Sequence, residues 1–176
     1  MVTLDAGGGG GGTDAGAPAA PTCAAYCTAV MGACTGANAM YTSMDSCLAV
    51  CAGLPVGTAA DMAGNTVGCR TYHAGAAAGD PATHCMHAGP GGSGVCGNDC
   101  EGFCAVALHA CTGDNSVYAD AAACMTECAG FATTPAYSTA TTSGDSFACR
   151  LYHLTAAASD AATHCDHIGL MSPVCN

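Results

Sequence analysis

Sixteen cysteines fall into two runs of eight with nearly identical spacing, and no other feature restricts the fold of this chain so severely. From Cys23 to Cys96 the successive gaps are 4, 7, 13, 4, 18, 16 and 11 residues; from Cys100 to Cys175 they are 4, 7, 13, 4, 21, 16 and 10. Self-similarity of this kind marks an internal duplication. Each copy has roughly 75 residues, too few to be held by burial alone. Cysteines in even number at this density are expected to form structural disulfides, made in an oxidising compartment. The chain is therefore expected outside the cell or at the cell surface.

The copies are expected over residues 23–97 and 98–176, with a joint of only three residues, GND, so that they pack rigidly against each other. A flexible Gly/Ala/Pro-rich linker is expected over residues 1–22. The opening MVTLDAGGGG has neither the basic start nor the apolar stretch of a secretory signal. The expectation is a mature form, with the export signal and any lipid or cell-surface anchor upstream of the linker.

Thirteen carboxylates stand against two arginines and no lysine, a net charge of −11, which repels nucleic acid and anionic membrane surfaces. No apolar run approaches the ~18–20 residues of a transmembrane segment. With three Phe and no Trp, the interior is expected to bring backbones together around small side chains, leaving disulfides to supply much of the stability.

Each copy contains two C-x3-C motifs. Residues i and i+4 share one helix face, so Cys23 with Cys27, and Cys47 with Cys51, each present two thiols one turn apart. Between them, Gly36 and Asn38 suit a helix stop and turn, and Ser43 or Asp45 suits the cap of a second helix. The spacing predicts two antiparallel helices laddered by Cys23–Cys51 and Cys27–Cys47, repeated as Cys100–Cys128 and Cys104–Cys124. This pattern resembles the twin C-x3-C helical hairpin of small mitochondrial carrier chaperones over about thirty residues per copy. The resemblance implies hairpin geometry only, since the later cysteines have no counterpart in that family. The remaining Cys34, Cys69, Cys85 and Cys96 permit three pairings, of which Cys34–Cys85 with Cys69–Cys96 is preferred; Cys111, Cys149, Cys165 and Cys175 pose the same choice. The fold class expected is mainly α, small and disulfide-rich: two tandem eight-Cys modules, each a helical hairpin followed by two short helices, with little or no β structure.

Chemistry concentrates where the copies have diverged least. The segment CRTYHAGAAAGDPATHCMHAG at 69–89 is repeated as CRLYHLTAAASDAATHCDHIG at 149–169. Arg70, Tyr72, His73, Asp80, Thr83, His84 and His87 correspond to Arg150, Tyr152, His153, Asp160, Thr163, His164 and His167, and the two arginines are the only basic residues besides histidine. A short helix is expected from about Cys69 to Ala78 and another from Asp80, an N-cap followed by Pro81 at the first helical position. His84 and His87 then share a face, as do Arg70 and His73.

Three imidazoles converging from two helices suit a borderline ion, copper or zinc, with a fourth position for water, Asp166 in the second copy, or another group. Oxidised cysteines leave a histidine-only site. The metal ligands expected are His73, His84 and His87, then His153, His164 and His167; Arg70, Tyr72, Arg150 and Tyr152 are expected around the bound group. The function expected is metal handling or electron transfer by a secreted protein, not enzymatic catalysis. Two alternatives stand beside it. Two histidines could hold a non-covalent haem, in the absence of a C-x-x-C-H motif. Or the chain is a homo-oligomer, the subunit of an extracellular filament or coat, with the His/Arg/Tyr set purely structural. Hydrolytic motifs G-x-S-x-G and H-E-x-x-H are absent. CRTYH is similar to the cysteine-flanked histidine of secreted phospholipases, but Ala74 or Leu154 stands where those enzymes need Asp.

Overall fold

The computed structural model describes residues 19–176. The linker expected over 1–22 therefore lies, through residue 18, outside the described residues. Among the described residues there are eight α-helices and no strand. They are α1 (Cys23–Ala33), α2 (Met44–Ala52), α3 (Val67–Ala76), α4 (Pro81–Ala88), α5 (Asp99–Ala110), α6 (Ala121–Cys128), α7 (Phe147–Ala157) and α8 (Ala161–His164). Three short 3-10 turns accompany them, at Gly36–Asn38, Gly113–Asn115 and Cys165–His167.

Each helix starts on a side chain that satisfies one of its free N–H groups. Thr22, Ser43, Thr66, Asp80, Asn98, Asp120, Ser146 and Asp160 each accept from the backbone N–H three residues on. Such caps contribute about 1 kcal/mol apiece, which matters for helices of two or three turns. Thr66 also explains why α3 begins at Val67, two residues before the expected start: its Oγ1 takes the N–H of Cys69. In the first turn of the fold, Gly36 adopts φ +60°, a left-handed conformation that ends the hairpin's first arm.

All sixteen cysteines are paired. The hairpins α1/α2 and α5/α6 are laddered by Cys23–Cys51 and Cys27–Cys47, and by Cys100–Cys128 and Cys104–Cys124. The preferred pairing of the other four holds, Cys34–Cys85 and Cys69–Cys96, and the second copy repeats it as Cys111–Cys165 and Cys149–Cys175. No bridge crosses between Cys23–Cys96 and Cys100–Cys175, so each copy is stapled on its own. Closing loops of this length removes about 3–4 kcal/mol of unfolded-state freedom per bridge in the chain-entropy account.

The copies nevertheless share one buried cluster. Helix α2 packs on α5 and α7. Buried Ser46 donates its hydroxyl to the Thr155 carbonyl at 2.9 Å, and buried Tyr137 donates to the Met40 carbonyl at 3.0 Å. Gly102, on α5, lies so close to the first copy that a β-carbon there would overlap the Pro90 carbonyl oxygen. Phe103 fills the second copy where Tyr26 fills the first, and the exchange is compensated. In the first copy Tyr26 donates to the Ala88 carbonyl and pairs with Tyr41 at 2.7 Å. In the second, Tyr118 reaches the Ile168 carbonyl itself, at 3.0 Å.

The copies differ at one further place. The helix begun by Asp80 runs unbroken to Ala88, but its twin α8 stops at His164 and tightens into the 3-10 turn Cys165–His167.

Candidate metal centre

Two helices carry the repeated segment in each copy. On α3 the first turn, Val67 to Arg70, is buried throughout, and from there Cys69, Arg70, His73 and Ala74 follow the i, i+1, i+4, i+5 pattern of a stripe turned to the core, while Tyr72 is about half exposed. Disulfides Cys69–Cys96 and Cys34–Cys85 tether α3 and α4 respectively, so the two helices approach as a fixed pair.

Arg70 is fully buried, and its guanidinium turns to the chain that follows α4. Nε donates to the Gly89 carbonyl at 3.1 Å, Nη2 to the Pro90 carbonyl at 3.2 Å and Nη1 to the Thr66 carbonyl at 3.3 Å. Arg150 repeats this toward Gly169 and Ser146. It also pairs with the exposed Asp145 at 2.8 Å and stacks on Phe131 at 4.3 Å. In the first copy Asn65 and Leu54 stand at those two positions, and burial lowers the pKa of Arg70. The paired arginines thus act as clips that hold the end of the His84/His87 helix, or its twin, against α3 or α7.

His73, His84 and His87 come together, as do His153, His164 and His167: in each trio one nitrogen per ring lies within 4.8 Å of the others. His73 Nδ1 is 2.9 Å from His84 Nδ1. In the second copy His153 Nδ1 lies 3.1 Å from His164 Nδ1 and 3.2 Å from His167 Nδ1. The far nitrogen of the central ring is held in both copies, His73 Nε2 by the Met62 carbonyl at 3.2 Å and His153 Nε2 by the Thr142 carbonyl at 3.1 Å. A carbonyl only accepts, so Nε2 carries the hydrogen and Nδ1 presents its lone pair to the trio.

Hydrogen-bond accounting then fails in an informative way. In the first copy His84 can donate to His73 Nδ1, but His87 Nδ1 is buried with no partner. In the second, His167 Nε2 faces Asp166 Oδ1 at 3.2 Å while its Nδ1 faces His153. A neutral ring has one N–H and cannot donate to both. Burial, aided by the neighbouring imidazoles, lowers the pKa of His87. Burial chiefly lowers that of His153 too, with His167 and His164 acting in the same sense. Both rings are thus biased to the neutral form that binds metal.

A shared cation would remove the mismatch. Two nitrogens each 2.0–2.1 Å from one ion, subtending 90–109°, are about 2.9–3.4 Å apart, and the observed contacts of 2.9, 3.1 and 3.2 Å fall in that interval. A haem fits less well: ring centroids within the trios are 4.6–5.9 Å apart, so a porphyrin plane would have to part rings already in contact. The sulfurs of Cys69 and Cys96, or Cys149 and Cys175, also lie near the central histidine. Both pairs are disulfides and offer no thiolate.

The other expected residues are placed differently. Arg70 and Arg150 bond to carbonyls, not to the imidazoles, while Tyr72 and Tyr152 set their ring edges against His73 and His153, with 5.1 Å between centroids. Asp166, weighed as a fourth ligand, lies instead on the outer nitrogen of His167. The carbonyls of Met62 and Thr142 escaped sequence reading, because backbone atoms leave no side-chain signal. Their one trace is an equal offset of eleven residues before His73 and His153. His109 stands apart from both trios, over Gly53.

A family model described as the BfoA family C-terminal domain matches the chain twice, over residues 17–99 and 100–172. No curated protein and no solved structure matches it.

Proposed function

Because the chain belongs to the BfoA family, as two tandem copies of that family's C-terminal domain, we propose one function performed twice: each copy binds a divalent copper or zinc ion through Nδ1 of its three histidines. The observation that carries the reading is the convergence of one nitrogen from each ring in both copies, Nδ1 to Nδ1 in the pairs His73–His84, His153–His164 and His153–His167, with His87 Nδ1 buried and partnerless. Neutral imidazoles favour Cu²⁺ and Zn²⁺ over Mg²⁺ or Ca²⁺, which prefer oxygen. Three protein ligands leave a further position open to water or to a ligand on another molecule. The ion is therefore exchangeable in principle, which suits metal handling, or electron transfer where the ion is copper.

Full pairing of sixteen cysteines supports an oxidising compartment, and so a secreted or surface location. No helix among the described residues is long and apolar enough to cross a membrane.

Calorimetric titration of metal-free protein with Zn²⁺ and with Cu²⁺ tests the proposal. Two equivalents are expected, with His84→Ala and His164→Ala each removing one. Unchanged stoichiometry and affinity in both variants would remove these residues from the site. Regular filaments of the metal-free protein under the electron microscope, with no binding in solution, would favour the structural-subunit alternative.

A further inference from the structure

The two trios have the same residues at the same offsets but not the same surroundings. In the first copy α4 is regular through Ala88, and Met86 packs against the core and offers His87 no carboxylate, while the inner nitrogen of that ring, Nδ1, is buried without a partner. In the second, the 3-10 turn Cys165–His167 replaces the end of the helix, and the residue matching Met86 is Asp166, exposed, with its carboxylate on His167 Nε2. His153 Nδ1 there meets both partner nitrogens; its ring lies nearer His167, 4.6 Å between centroids against 4.9 Å for His73 and His87, and slightly farther from His164, 5.3 Å against 5.1 Å for His73 and His84. Charge is uneven too. Three carboxylates lie between Cys23 and Cys96, but seven between Cys100 and Cys175, with one arginine in each span.

The carboxylate on His167 and the excess of negative charge act in one direction. A carboxylate accepting from Nε2–H fixes the tautomer with its lone pair on Nδ1, orients the ring and makes that nitrogen a stronger donor to a metal. A ring without such a partner must be ordered as the ion binds, which weakens the complex. The greater negative charge of the second copy as a whole further favours a cation.

We infer that the second copy is the high-affinity metal site and the first the weaker, exchanging one, with Asp166 as the positioning residue that separates them. The inference rests on the metal reading above. Outer carboxylates of this kind change metal affinity about 10–100-fold, so at limiting metal His153, His164 and His167 fill first. Ions then load onto or leave the chain through His73, His84 and His87.

The full chain is titrated with Zn²⁺ in competition with a chromophoric chelator, using His84→Ala to leave only the second trio complete and His164→Ala to leave only the first. The His84→Ala chain is expected to bind about 10–100 times more tightly than the His164→Ala chain. Adding Asp166→Met to His84→Ala should abolish that advantage, and Asp166→Asn, which keeps an acceptor without the charge, should restore part of it. A hydrogen bond to a carboxylate as exposed as Asp166 contributes little to folding, so the unfolding midpoint of metal-free protein should be the same for all three residues at 166, a constancy that a merely structural role would not give. Equal affinities at the two trios, or no effect of Asp166→Met, would overturn the inference and leave metal binding intact. Absence of Zn²⁺ binding at both trios would instead remove the metal reading, and this inference with it.

Discussion

Replacing His87 by leucine separates a metal site from a structural network, because the two assign the imidazole opposite effects on the metal-free protein. His87 Nδ1 is buried and partnerless. A buried polar atom in that state costs about 1–3 kcal/mol, and since the ring is only half-buried the lower end applies. Leucine has similar bulk, a higher helix propensity than histidine by a few tenths of a kcal/mol and no polar atom to leave unpaired. His87→Leu should therefore stabilise the metal-free protein by ~1 kcal/mol, raising its melting temperature by roughly 2–4 °C for a chain of this length. The same change should abolish stabilisation by metal at the first copy, worth about 2.7 kcal/mol at a free ion concentration one hundred times the dissociation constant. The assay is thermal unfolding at neutral pH with disulfides intact, in chelator and in Zn²⁺. If the variant melted lower than wild type in chelator and gained as much from Zn²⁺, the histidine would be a structural hydrogen-bonding residue and the reasoning refuted.

Arg70→Lys keeps the charge but loses the fork that reaches the Gly89 and Pro90 carbonyls together; a loss of about 2–3 kcal/mol is expected in the guanidinium unfolding midpoint. Gly68→Ala places a β-carbon on the Thr58 carbonyl oxygen, pushing away the loop whose Met62 carbonyl holds His73. It should weaken Zn²⁺ binding by the first copy, read by competition in a His164→Ala background, while leaving the second copy unaffected when read in a His84→Ala background. The Thr83 hydroxyl and N–H lower the pKa of Asp80, and the Thr58 and Thr66 hydroxyls with the Thr58 N–H lower that of Asp61. Lowered carboxylate pKa values mean that the unfolded chain binds more protons in the window. The stability they contribute is then full above about pH 4 and lost as pH falls through the lowered folded values. Asp80→Asn, which still caps α4, should flatten part of that acid limb in unfolding measured from pH 5 to pH 2.

The helical architecture was open to sequence reading because cysteine spacing acts locally. Four-residue separations place Cys23 and Cys27, or Cys47 and Cys51, on single faces, and the caps Ser43, Asp80 and Asp160 bond only three residues onward. The histidines were legible as a group through duplication, which marked seven polar positions against a drifting background. Other elements were less legible. Spacing left three pairings open for Cys34, Cys69, Cys85 and Cys96 and supplied only a preference for the observed one; the Cys69–Cys96 bridge depends on how the chain after α4 returns to α3, where Arg70 gathers the Thr66, Gly89 and Pro90 carbonyls. An arginine beside three histidines reads naturally as a ligand-binding charge; burial among carbonyls reveals it as a clip. The inward direction of Nδ1 is likewise set by backbone carbonyls at Met62 and Thr142, to which sequence patterns are blind.

The sequence alone determined the number of modules, their helical hairpins and the residues that two copies hold in common, since each follows from spacing within a few turns of chain. Only the tertiary structure decided which nitrogen of each ring faces its neighbours, that Asp166 touches the outer edge of His167, and that the two trios are unequal. These depend on where two helices and their flanking loops come to rest against one another, to within a few tenths of an ångström, and packing of the whole sets that.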